Sequence, residues 1–307
     1  MSNNARRYFR YDVILPMHLE PVDRYGKHLS AERRELISLA EEEGLKELNA
    51  QLSGWLEKVF DASSNALYVF YVLNHRLDFM WWLIEHLMES NDPRLADDYK
   101  FRTREDKKFS PPSSKKSSSI GPLILGLYEQ INQYIEELQT VVTGSVDGKI
   151  FIYSKASLEV FDDKKYVKNL DELAQSGVLP AKVLRLMLDK LNLQAKVLER
   201  LKEAYREISH SHEWKNYRVN LSAGGFSFLS TSPYKLFSIM DVFMDIDGEI
   251  LICRGKIIFQ KETNEQIHPY RVGVEFDLLT SEQEQKITLF EQRKELRDAI
   301  VSVALSY

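Results

Sequence analysis

The chain has one cysteine, Cys253, in 307 residues. That excludes an internal disulfide and any multi-cysteine metal site. The apolar, strand-like run around it predicts a buried, unreactive thiol. There is no excess of basic charge either. Against 41 Lys and Arg stand 46 Asp and Glu, a net charge of −5, so nonspecific nucleic-acid binding, which needs a net basic surface, is not expected. Long hydrophobic runs are also missing. The most apolar stretch, residues 66–88, is interrupted by Asn74, His75, Arg76, Asp78, Glu85 and His86. A membrane span needs about twenty predominantly apolar residues, so this stretch reads as a buried bundle helix. Met1 to Arg6 hold no apolar run of the signal-peptide kind, and a cytoplasmic protein is expected. Catalytic signatures are absent: the chain has no phosphate-binding loop, no nucleophile elbow and no conspicuous pair of carboxylates. His210 and His212 form a His-x-His without a third and fourth ligand at a recognisable spacing. The expectation is a protein that is not an enzyme, with no metal and no cofactor.

What the chain does hold, over most of its length, is helical periodicity. Its 44% hydrophobic and 28% charged residues are ordinary for one or two globular domains. After a turn at residues 23–26, Ser30 is placed to cap a helix in which Leu36, Leu39, Leu45, Leu48, Leu52, Leu56 and Val59 recur at three and four. Gly44 is a candidate bend in it. A second helix over 66–88 is apolar nearly all round, which suits the centre of a bundle or an oligomer interface. Residues 91–119, rich in lysine, proline and serine towards their end, predict a mobile loop. Pro122 then opens a third helix running to about Val142, and a short helix is expected over 169–175. The longest pattern spans 181–209, with Leu184, Leu188, Leu191, Ala195, Leu198, Leu201, Tyr205 and Ile208 at spacings of three and four. It fits a bundle helix or a short coiled coil, and the latter would make a homo-oligomer.

Beyond Trp214 the period shortens to two. Strands are expected over 217–220, 225–229, 236–245, 250–260 and 270–276, with Asp247-Gly248 as a hairpin turn. Ser281-x-x-Glu284 reads as a capping box opening a last helix, which would pack through Ile287, Leu289, Phe290, Leu296 and Ile300. At the junction of the first two of these strands lies Tyr217-Arg218-Val219-Asn220-Leu221-Ser222-Ala223-Gly224-Gly225-Phe226. It brings together an amide, a hydroxyl and two glycines. Near the other end of the chain, Arg6-Arg7-Tyr8-Phe9-Arg10 precedes a strand-like segment over 11–19. Arg6 and Arg10, four apart, share a side whether the arm is extended or helical.

Arg-x-x-x-Arg together with Asn-x-Ser-x-x-Gly resembles the PilZ family, a small six-stranded β-barrel that binds cyclic di-GMP. Residues 11–19 look like that family's first strand, Arg271-Val272-Gly273-Val274-Glu275-Phe276 like its closing strand, and Ser281 onward like the helix that follows it. The resemblance implies an α+β fold: a PilZ-like six-stranded antiparallel barrel from residues 1–22 and 213–307, with a C-terminal helix. A mostly helical insertion over 23–212 would separate the first strand from the second. It implies ligand contacts from Arg6, Arg7, Arg10, Asn220, Ser222 and Gly225. The arginines suit phosphate or guanine, Asn220 and Ser222 would read a guanine edge, and Gly225 would keep the backbone clear. The function implied is a cyclic di-GMP receptor acting on a protein partner in motility, adhesion or exopolysaccharide control. The alternatives are a PilZ-like adaptor that binds no nucleotide and an oligomeric helical scaffold.

Overall fold

The computed structural model describes residues 9–22, 31–59, 65–112, 119–146, 148–153 and 164–304. The expected turn at 23–26 and the Ser30 cap lie outside them. The chain divides into two compact units, one made of the described residues of Met1–Lys27 and Glu207–Tyr307, the other of those of His28–Arg206.

The first unit is a closed antiparallel barrel. Its strands are β1 (Tyr11–Pro21), β2 (Lys215–Ser222), β3 (Gly225–Ser230), β4 (Ile239–Ile246), β5 (Glu249–Glu262) and β6 (Tyr270–Leu278), in the spatial order β1-β2-β3-β6-β5-β4. β1 closes it. Tyr11 to Met17 pair with Leu221 to Lys215 on β2, and Met17 to Pro21 pair with Met244 to Met240 on β4. Alternation then sends Val13, Leu15 and Met17 inward to meet Val219, Leu221, Phe226, Phe228, Val242, Met244, Cys253, Val272 and Val274. Cys253 is buried, and burial pushes its thiol pKa up, as an inert core cysteine requires. The β4–β5 hairpin turns through Asp247 and Gly248 with φ of 55° and 87°, the two positive values of a type I′ turn. β4 begins three residues later than its expected start. Phe237 takes a positive φ of 64°, which breaks the extended run, while its amide donates to the Ile257 carbonyl.

Helix α9 (Ser281–Ala304) covers the barrel through Ile287 and Phe290. Its capping box lies one residue earlier than expected. Thr280 Oγ1 accepts from the Gln283 amide, and the Gln283 side chain accepts from the Thr280 amide. Ile287 and Phe290 are buried as expected, whereas Leu289, Leu296 and Ile300, also expected to pack, are exposed. One polar residue joins the packed side. Glu291 is 2% exposed, its Oε1 finds no hydrogen-bond partner among the described residues, and burial pushes its pKa up to about 7. The native carboxyl keeps its proton where an unfolded chain has lost it, so between about pH 4.5 and 7 rising pH destabilises the fold. Glu291→Gln is therefore expected to raise stability at pH 8 by up to about 3 kcal/mol, the gain fading as pH falls from about 7 towards 4.5. Chemical denaturation at pH 5 and pH 8 tests this; equal effects at both would contradict it.

The second unit is helical: α1 (Arg33–Leu36), α2 (Leu39–Val59), α3 (Asn65–Met88), α4 (Tyr99–Lys107), α5 (Gly121–Thr143), α6 (Lys164–Gln175) and α7 (Leu179–Ala204), with α8 (Arg206–Ser209) at the boundary between units. Two expectations are corrected and one open alternative is decided. The first helix breaks at Ser38 rather than bending at Gly44, because Ser38 and Glu41 form a capping box that starts α2. The stretch 91–119 is not simply a loop. It contains α4, whose Asp106 is buried against Arg76 on α3, with Nε to Oδ1 at 3.0 Å; residues 113–118 lie outside the description. Finally, the apolar stripe from Leu184 to Leu201 is fully buried, with α7 packed against α2, α3 and α6 of its own unit. Of the two readings of this pattern, the stripe serves as the core of a bundle within its own unit.

Candidate functional site

The barrel's register is what assembles the site. Tyr11 lies opposite Leu221 and Asp12 opposite Asn220, so Arg10, one residue before the strand, comes level with Ser222. Across the next pairs, Asn220 faces Ser227, Ser222 faces Gly225, and Gly225 faces Glu275 on β6. A cleft of about 490 Å³ opens there, lined by Arg10, Ser222 to Gly225, and Glu275 to Asp277, with Ile258, Leu279 and Glu284 at its margins. The size suits a small-molecule ligand.

Of the six residues marked by the sequence, Arg10, Ser222 and Gly225 line this cleft. Arg6 and Arg7 lie outside the described residues. Asn220 shares the outward face without lining the cleft, and its Nδ2 donates to Asp12 Oδ1 at 2.8 Å. Ser222 is 2% exposed, and its hydroxyl donates to the Gly225 carbonyl at 2.9 Å, closing the turn. That bond engages its proton and leaves the oxygen as an acceptor. Gly225 has φ of 144°, and a Cβ there would meet the Val274 carbonyl oxygen at 2.1 Å. Its glycine is therefore required by the approach of β6, whatever the cleft holds. The Gly224 carbonyl accepts from the Phe276 amide, binding the turn to β6 a second time.

Several neighbours carry no local sequence signal. Asp12 reaches Asn220 only through β1–β2 pairing. Arg271 Nη2 donates to Ser227 Oγ at 3.3 Å, a contact made by β3–β6 pairing. The base of the Arg10 arm is held on its other side, where the Tyr11 hydroxyl donates to Asp298 of α9 at 2.9 Å. That bond and the nearby carboxylates hold the phenol above its ordinary pKa. His210 and His212 lie with ring centroids 5.5 Å apart, and no group of three or more His, Cys, Asp or Glu among the described residues is arranged to hold a metal. No helix among them is long and apolar enough to cross a membrane.

Residues 190–292 match the family model of the PilZ domain. The match takes in β2 to β6, most of α7 and the start of α9, and leaves out β1. No curated protein and no solved structure matches the chain. That stretch is similar to the PilZ domain, a binding domain rather than a catalytic one, whose family is in general one of cyclic di-GMP receptors.

Proposed function

We propose that this protein is a cytoplasmic receptor for cyclic di-GMP that couples occupancy of the cleft to a protein partner. The observation that carries this reading is the register of β1. Almost two hundred residues separate β1 from β2, yet Arg10 and the Ser222–Gly225 turn line one cleft. In this reading Arg6 and Arg10 bind phosphate oxygens or stack on a guanine, Arg7 adds a further contact, and Asn220 and Ser222 read the base. The arm leads directly into β1, and the chain leaves β1 for the helical residues. Closing the arm over a nucleotide therefore acts on a strand continuous with the insertion. The partner-binding state is then favoured to the extent that the nucleotide contacts it better than the other state. Motility, adhesion or exopolysaccharide synthesis are the outputs consistent with the family.

One observation favours the runner-up, a PilZ-like adaptor that binds partners without nucleotide. Ser222 and Gly225 both have structural reasons that need no ligand. Calorimetric titration with cyclic di-GMP, beside an Arg6→Ala/Arg10→Ala variant, separates the two. Saturable binding that falls at least about tenfold in the variant is the expected result. No binding by the wild type would move the assignment to the adaptor, and binding unchanged in the variant would remove the arm from the site.

A further inference from the structure

The cleft beside the Gly224–Gly225 turn is lined by more negative than positive charge. Arg10 is its one described cation, whereas Glu275, Asp277 and Glu284 all line it. None of the three carboxylates is in an ion pair or hydrogen bond with another described residue, Glu284 accepting from the Thr288 hydroxyl only through its main-chain carbonyl, and no cluster of the described residues is arranged to hold a metal. Carboxylates in this position would oppose a ligand that was only phosphate, because like charges at contact distance repel. They suit a group that presents hydrogen-bond donors, since an ionised carboxylate only accepts.

The strand order gives the cleft a polarity. Passing from β1 through β2 and β3 to β6 crosses three strand spacings, about 14 Å. Arg10 stands at one end of that path. At the other end Glu275 lies directly opposite Gly225, with Asp277 two residues on and pointing to the same outward face. Phe276, between them, turns inward onto Phe226 with ring centroids 5.7 Å apart, which holds the alternation. Gly225 has no side chain to block the way between the two ends.

We propose that Glu275 and Asp277 accept hydrogen bonds from N1–H and the N2 amino group of one guanine, so that β6 selects the base while the arginine end holds phosphate. This inference rests on the dinucleotide reading above and extends it to the choice of base. Guanine offers two adjacent donors on that edge. Adenine offers an acceptor at N1, which would face a carboxylate with no proton between them, and hypoxanthine keeps N1–H but lacks the amino group.

The test is calorimetry of the full chain with cyclic di-GMP, cyclic di-IMP and cyclic di-AMP, for the wild type and the Glu275→Gln/Asp277→Asn variant. Both positions are exposed, so the variant is expected to keep the wild-type melting temperature, checked in parallel. The wild type is expected to bind cyclic di-IMP about tenfold or more weakly than cyclic di-GMP, and cyclic di-AMP more weakly again. In the variant that preference should collapse, chiefly through weaker binding of cyclic di-GMP. A variant that keeps the full preference, or binds cyclic di-GMP more tightly than the wild type, would overturn the inference and leave the receptor reading standing. A wild type that binds none of the three would overturn the receptor reading itself, and this inference with it.

Discussion

A fragment spanning residues 207–307 is expected not to fold into a monomeric barrel, although it contains every strand of the family match. Without β1 the barrel opens between β2 and β4, and each is left with a row of unpaired backbone groups, an edge prone to association. The core loses Val13, Leu15 and Met17, all nearly inaccessible to solvent in the intact chain. At about 1.5–3 kcal/mol for each buried side chain, that loss alone approaches the about 5–15 kcal/mol by which a typical domain is stable. Poorly dispersed amide resonances and no cooperative melt are the expected result, with recovery on adding a peptide of residues 9–22. In the full chain, Leu15→Asp should have a similar effect on the barrel, because it places a charge at a core position that is 1% exposed. A fragment that gave a dispersed spectrum and a cooperative transition without the peptide would show that β1 is dispensable.

Gly225→Ala is expected to destabilise the barrel by about 2–5 kcal/mol, combining overpacking with a left-handed backbone forced on a residue that bears a Cβ. The atom in the way is the Val274 carbonyl oxygen, 2.1 Å from the position of the new Cβ. It is main chain, fixed by the β3–β6 ladder, so no side-chain rotation relieves the overlap. Gly273 makes a useful contrast. A Cβ there would overlap the Phe259 ring at 2.0 Å, but Phe259 is partly exposed and its ring can swing away, so Gly273→Ala should cost less. Denaturant midpoints for the two variants check the order, and a larger loss at Gly273 would contradict it. The comparison also bears on function: reduced nucleotide binding in Gly225→Ala would report a displaced β3 as much as a lost contact.

The parts of this protein that were legible from sequence are those whose cause is local. Apolar spacing of three and four marked α3, α5 and α7 to within a few residues of their ends, because a helix buries a stripe defined by its own chain. Asp247-Gly248 marked its hairpin because a type I′ turn needs two positive φ values, and those residues tolerate them. Where two local signals compete, the sequence alone does not separate them. Ser281-x-x-Glu284 and Thr280-x-x-Gln283 are both capping patterns, and the structure uses the second. The Ser38 cap was hidden in the same way, inside a continuous apolar period.

The amino-acid sequence by itself determined that residues after 214 form an antiparallel β-domain, that the preceding residues are mainly helical, and that two short polar motifs stand far apart. It also marked residues 11–19 as a strand, since alternation is a property of the strand alone. Tertiary structure decided everything that depends on pairing. Hydrogen bonds between strands carry no local trace of their partner, so only the closed barrel decides that Asp12 meets Asn220 and that Glu275 faces Gly225. Burial is decided in the same way. The stripe on α7 reads identically whether it faces its own bundle or a second chain, and the packing of α2, α3 and α6 against it makes it a core.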